Sequence, residues 1–236
     1  MLQAIPKKKD KARQKESGRR SFLTGAFAGL LGLPWGAHAE GDLDPGGLTF
    51  RDFAVFDNGA SFTRVESTYG PNGANPAPSK VVSVDNDNGF ARIRFDSVHA
   101  EIALPLGWQA TEDWERGVGY SSDHRYRVIV WRVDFAFEGV RDAEHYAATK
   151  AGAITARRPG IRAQARKLSD GSFLIAYENV PPSQGDSGKR AVFDLVLTKP
   201  GDPKSGVLLT LGVPANEAER GLKLLALLKS KLSIQW

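Results

Sequence analysis

From residue 48 onward, hydrophobic and polar positions alternate in short runs punctuated by Gly, Pro, Asn and Asp, a pattern that predicts β-strands joined by tight turns. Leu48 to Phe56 and Ser61 to Ser67 are two such runs flanking Asp57-Asn58-Gly59, whose Asn-Gly pair takes the positive φ angles of a hairpin turn. Tyr69 to Ser79, with three prolines and two glycines, reads as a loop and an internal boundary. A second hairpin follows, Lys80 to Val84 and Phe90 to Phe95 around Asp85-Asn86-Asp87-Asn88-Gly89, and then a strand from His99 to Leu104 closed by Pro105-Leu106-Gly107-Trp108. Tyr126 to Phe137 is long, aromatic and β-branched, which predicts a central strand with Trp131 in the core.

Asp142 then stands as the N-cap of a helix running to about Arg158, with Tyr146, Lys150 and Ile154 along one face. Strands are predicted at Ala163 to Leu168, Ser172 to Asn179, Arg190 to Lys199 and Gly206 to Val213, with Pro181 to Gly188 and Pro200 to Ser205 as turns. The closing helix takes Asn216 as cap, with Glu219 bonding back to the cap amide. Its apolar stripe, Leu222, Leu224, Leu225, Leu227, Leu228 and Leu232, calls for a sheet to lie on. The sum is an α+β fold, helices packed on an antiparallel sheet.

The first 39 residues follow a different pattern. Eight basic residues against two acidic ones precede Phe22 to Leu33, a charge-free apolar run well short of the ~20 residues a membrane span needs. Ala37-His38-Ala39 supplies the small-x-small pattern of a signal-peptidase site, so cleavage is expected after Ala39 and no stable membrane anchor after cleavage. Between the two regions, Arg19-Arg20-Ser21-Phe22-Leu23 resembles the twin-arginine translocation motif, with Gly18 and Thr24 departing from it. That resemblance implies the twin-arginine translocase as an export partner and a periplasmic or secreted destination. The alternative reading is an ordinary secretory signal with a chance arginine pair.

Charge changes meaning once the leader is set aside. The chain holds 32 Lys plus Arg against 27 Asp plus Glu; without the leader's 8 and 2 these become 24 against 25. A near-neutral domain has no general pull toward nucleic acid or anionic lipid, and none is expected as partner. The local exception, Arg157, Arg158, Arg162, Arg166 and Lys167, reads as a solvated helix end and loop. No cysteine is present, which excludes disulfides and cysteine-held metal centres, and no cofactor is expected.

Candidate chemistry is sparse. Asp85 and Asp87 lie two apart in an oxygen-rich turn suited to calcium, but Gly89 falls at the fifth position rather than the sixth and Asp96 stands where a calcium loop needs Glu. Asp123 with His124, and Glu144 with His145, are acid/base pairs outside any catalytic motif. Trp108 and Trp114, in a turn segment from Pro105 to Gly119 kept wet by Glu112, Asp113 and Glu115, are the preferred partner-binding aromatics.

The segment Ile102-Ala103-Leu104-Pro105-Leu106-Gly107-Trp108 and the order of elements after it resemble the PsbP-type α/β/α sandwich, whose superfamily includes the Mog-type and DcrB-like proteins. The resemblance covers roughly residues 90 to 236. It implies an organisation of 1–39 signal peptide, 40–89 N-terminal β-rich extension and 90–236 PsbP-like domain. It also implies an exported, non-catalytic envelope protein of adaptor or assembly type that binds a protein partner or small ligand. Two alternatives remain from the residues: a hydrolase-like enzyme using His124 or His145 with the neighbouring carboxylates, and a calcium-stabilised accessory domain.

Overall fold

Alternation along the strands sorts their side chains onto two faces, and each face finds its own cover. In the computed structural model the described residues are 41–55, 64–67, 79–182 and 188–236. Among the described residues twelve strands and two α-helices follow the order β1 (Arg64–Ser67), β2 (Lys80–Asp85), β3 (Phe90–Phe95), β4 (Ala100–Pro105), β5 (Gln109–Glu112), β6 (Arg116–Tyr120), β7 (Arg127–Asp134), α1 (Ala143–Arg157), β8 (Arg162–Lys167), β9 (Phe173–Val180), β10 (Arg190–Lys199), β11 (Asp202–Pro214), α2 (Ala218–Ser230) and the short β12 (Ser233–Ile234).

 Of the twelve strands so numbered, ten pair only antiparallel, and β1 and β5 share the one parallel pairing among the described residues.

They form two sheets. The larger has eight strands in the order β1-β5-β6-β7-β11-β10-β9-β8, and the smaller has four, β12-β4-β3-β2. On one face of the large sheet Val133, Phe173, Ile175, Val196 and Leu208 meet Tyr146, Ala147 and Ala151 of α1. The opposite face holds Val128, Leu195, Leu209 and Leu211, all fully buried. There, Gly221 of α2 sits against Val213 and Phe193, Gly119 against Leu104 of β4, and Gly117 against the ring of Phe95 of β3. A Cβ on Gly117 would lie 2.2 Å from that ring, so only glycine allows the two sheets this close. The architecture is α+β, helices on antiparallel sheets, as the sequence pattern implies.

The 80–95 hairpin, the Asp142-capped helix and the three strands after it are where the periodicity places them; Asp142 accepts the His145 backbone N–H at 2.8 Å. Residues 41–55 and 79–89, expected in an N-terminal extension, pack within the same compact unit as the rest, Gly41–Trp236. The turn at 57–59, the loop at 69–78 and residues 183–187 lie outside the described residues, as do residues 1–40.

Five expectations are corrected. The strand expected from Leu48 to Phe56 is not seen over its described part, 48–55: Thr49 and Asp52 form a capping box, and Phe50–Phe53 is a 3-10 turn that buries both phenylalanines. β1 therefore does not close a hairpin with it but lies parallel to β5. Pro105 to Gly119 is not one long turn, because Gln109–Glu112 and Arg116–Tyr120 pair antiparallel. Asp202 begins β11, shortening the expected 200–205 turn, with a bulge between Thr198 and Lys199. Asn216 is not the helix cap; it lies in a 3-10 turn, Ala215–Glu217, ahead of α2. β2 leaves Val81, Val82 and Val84 exposed at a sheet edge, where a bulge between Val81 and Ser83 twists the edge away from further pairing.

Candidate functional site

At one end of the fold, three segments remote in sequence close around a cleft of about 430 Å³, lined by residues of 52–55, 121–126 and 217–220. Its floor is set by local chemistry. The 3-10 turn points Phe53 inward, and the indole N–H of Trp108 donates to the Phe53 carbonyl at 2.9 Å. Val55 N–H donates to Leu106 O at 2.8 Å, which requires Gly107: its φ is +80°, and a Cβ there would lie 2.0 Å from Val55 O. The β6–β7 turn supplies the wall. Ser121 Oγ donates to the Asp123 carboxylate and accepts the Tyr126 backbone N–H at 3.0 Å, fixing Arg125 and Tyr126 at the mouth. The Tyr126 ring packs edge-on against Phe53, centroids 6.1 Å apart.

Polar groups from the three segments meet here. The Glu217 carboxylate accepts from the Tyr126 hydroxyl and from the Arg125 guanidinium. Arg220 lies over the Phe53 ring, 4.6 Å from its centre, and donates to the Asp52 carbonyl. Burial raises the Tyr126 hydroxyl above its ordinary pKa, partly offset by the positive charge of Arg220 and Arg125. At neutral pH the phenol is therefore a hydrogen-bond donor.

The sequence candidates are scattered. Asp123 lines the cleft, but its carboxylate is taken up within its own turn by Ser121 and by the Arg125 N–H at 3.1 Å. His124, at φ 58°, turns out to stack on Tyr120 at 4.9 Å. Glu144 and His145 are exposed on the first turn of α1, and His145 Nδ1 accepts the Arg141 N–H at 3.5 Å. Among the described residues no hydrogen bond or ring contact joins the two histidines. Trp108 is fully buried, because β5 and the 3-10 turn close over it, so it packs the cleft floor rather than offering a surface to a partner. Trp114 is 52% exposed in the β5–β6 turn. Glu112, read as wet, is fully buried and accepts the backbone N–H groups of Ser97 and Asp96 at 3.0 and 3.3 Å. Asp85 accepts Asn88 N–H at 3.0 Å and Asn88 Nδ2 at 2.7 Å, hydrogen bonds that hold its carboxylate below the usual pKa; Asp87 gives its carbonyl to Arg51. Among the described residues no group of three or more His, Asp and Glu is placed to hold a metal. Arg19, Arg20, Ala37 and Ala39 lie outside the described residues.

A second polar constellation was missed. Asp194 of β10, buried among the α1-facing side chains, accepts from Tyr177 Oη at 2.9 Å and from the Thr210 hydroxyl, and pairs with Lys150 Nζ at 3.0 Å. Lys150 also reaches Tyr146 Oη at 3.2 Å and lies over the Trp131 ring at 5.5 Å. Trp131, expected in the core, is 36% exposed: it faces the α1 side of β7, where Lys150 is what reaches over it. The signal was present as a lone acid inside the apolar run Arg190 to Lys199 and a lysine on the inward helix face. Each side chain of the group has a polar partner within it, and the Lys150–Asp194 pair ties α1 to the sheet.

No family model matches the chain, and no curated protein matches it. Among solved structures, a mutant of protein Mog1 is similar over 61% of this chain and 95% of its own, at 12% identity and a TM-score of 0.43. The solution structure of the cyanobacterial PsbP, CyanoP, from Synechocystis sp. PCC 6803 is similar over 70% of this chain and 100% of its own, at 15% identity and a TM-score of 0.43. Both are likenesses in the arrangement of strands and helices.

Proposed function

We propose that this protein is an exported, non-catalytic binding module that takes a small ligand, or a segment of an envelope protein partner, into the cleft between residues 52–55, 121–126 and 217–220. The observation that carries the reading is the convergence of Arg125, Tyr126, Glu217 and Arg220 from distant segments on one concavity of ligand size. The serine in the cleft supports binding over catalysis, because Ser121 Oγ donates to Asp123 and, among the described residues, no histidine side chain hydrogen-bonds it. Export is read from the leader: the Arg19-Arg20 pair, the uncharged run to Leu33 and the Ala37-His38-Ala39 site. Neither α1 nor α2 is long and apolar enough to cross a membrane.

The test is crosslinking of the tagged protein in its native envelope, with Ala54→Trp, which fills the cleft, run beside it, and mass spectrometry for both protein partners and co-purified small molecules. A partner or small molecule recovered with the wild type and lost from Ala54→Trp supports the reading. The same species recovered from both, or the bait alone from both, overturns it. The export route is tested by Arg19→Lys with Arg20→Lys, for which the precursor is expected to stay unprocessed in the cytoplasm; normal processing would remove the twin-arginine route.

A further inference from the structure

The charges around the cleft are unevenly paired. Two guanidiniums face it, Arg125 and Arg220, and three carboxylates border it. Asp52 turns its carboxylate away, accepting the Thr49 N–H at 2.7 Å and the Thr49 hydroxyl at 3.0 Å. Asp123 spends its own inside the β6–β7 turn. Glu217 is neutralised by Arg125. Arg220 is left with neutral partners, the Asp52 carbonyl, the Tyr126 hydroxyl and the face of Phe53; the Asp52 carboxylate feels its charge, but among the described residues no carboxylate lies close enough to form an ion pair with it. Stacking on Phe53 and the bond to Asp52 O fix its guanidinium plane beforehand, so less side-chain entropy remains to be lost when a ligand binds. Beside it stand the buried Tyr126 hydroxyl and the apolar surfaces of Phe53, Ala54 and Val55.

From this we infer that the ligand presents a carboxylate, joined to a small apolar or aromatic body, with Arg220 as its counter-ion. The inference rests on the cleft reading above. A planar carboxylate can accept two parallel N–H bonds from one guanidinium, which a neutral amide cannot match. Glu217, holding Arg125 and Tyr126 from inside the protein, is an internal carboxylate competing for the same donors, so neutralising it frees them for the ligand. A free organic acid and the C-terminal carboxylate of a polypeptide share this chemistry.

The experiment is isothermal titration of the purified protein with benzoate, with benzamide, and with the pentapeptide Gly-Gly-Gly-Gly-Phe as free acid and as C-terminal amide. Benzoate or the free-acid peptide is expected to bind at least about tenfold tighter than its neutral counterpart, the difference that a charge-assisted hydrogen-bonding group carries. Arg220→Ala should remove that preference, Arg220→Lys should restore part of it, and Glu217→Gln should tighten binding. Both arginine substitutions are at an exposed side chain, and an unchanged thermal unfolding midpoint certifies that the fold is kept. Tighter binding of benzoate than of the peptide assigns a free acid; the reverse assigns a polypeptide terminus. Equal binding of acid and neutral partner overturns the carboxylate assignment while leaving the cleft in place. Acid preference that survives Arg220→Ala overturns Arg220 as the counter-ion, and no binding by any of the four probes overturns the inference altogether. Crosslinking with Ala54→Trp judges the cleft reading separately.

Discussion

Lys150→Met removes one partner of the most buried ion pair described here and keeps the apolar stem of the side chain. The Lys150 side chain is 25% exposed and that of Asp194 is 4% exposed, with 3.0 Å between Nζ and Oδ2. At that separation and an effective dielectric of about 20 the attraction is roughly 5 kcal/mol, from which the cost of taking the ammonium out of water must be subtracted. Deleting the lysine leaves the Asp194 carboxylate with two neutral hydroxyl donors, Tyr177 and Thr210. Loss of one partner from a buried pair costs about 3–5 kcal/mol, and the partial exposure of Lys150 puts this case at the lower end, about 3 kcal/mol. For a chain of this size that corresponds to roughly 6–12 °C in unfolding midpoint.

Burial works to lower the Lys150 pKa, but the Asp194 carboxylate and the Tyr146 hydroxyl together outweigh it and the net shift is upward. A cation whose folded pKa is raised gives stability that is fully present below its unfolded value and is lost as pH rises through the folded one. The difference between wild type and Lys150→Met, measured by urea unfolding, should therefore stay constant from about pH 6 to 9 and shrink above about pH 10.4. Adding Asp194→Asn to Lys150→Met should recover part of the loss, since the orphaned charge is then gone. A Lys150→Met protein within about 0.5 kcal/mol of wild type, the range of ordinary surface substitutions, would refute the clamp.

Three further outcomes follow from the same geometry. Gly107→Ala forces a β-carbon toward Val55 O at φ +80° and should cost more than about 2 kcal/mol in urea unfolding, with weaker ligand binding because residues 53–55 shift. Trp108→Phe deletes the N–H donated to Phe53 O and leaves a small void; a loss of about 2–3 kcal/mol is expected, and a change below about 0.5 kcal/mol would show that the floor of the cleft does not depend on it. Burial raises the Glu112 carboxyl pKa against the opposing backbone N–H bonds of Ser97 and Asp96. The protonated form is thus the one the fold favours, so wild type should gain stability relative to Glu112→Gln as pH falls through that raised value toward the unfolded one; urea unfolding at neutral and at acid pH gives the sign.

What could be read from the chain was what repeats locally. Period-two alternation placed β3, β9 and β10 within a residue, and β7 except for an end that falls three residues early at Asp134, while Asp142 announced α1, because these signals need only neighbours within four residues. Leu48 to Phe56 misled because its apolar residues suit a strand, while the capping pair Thr49 and Asp52 and the three-residue spacing of Phe50 and Phe53 decided the outcome. Trp131 lies on a core-facing strand, yet its exposure depends on how far α1 extends over the sheet, which no local pattern encodes. Glu112 looked solvated until the turn at Asp96 and Ser97 was folded onto it. The cleft was least legible: its Arg220–Asp52 contact joins residues 168 apart in sequence, and only the β6–β7 turn carried a sign of it, in Asp123 and its neighbours.

The claim that this end of the fold is a binding site is tested most directly by mapping backbone amide shifts of the isotope-labelled protein as benzoate is added. Saturable shifts confined to residues 52–55, 121–126 and 217–220 are predicted. Shifts centred on the Trp131 and Lys150 surface or the β2 edge, with those three segments unmoved, would contradict it.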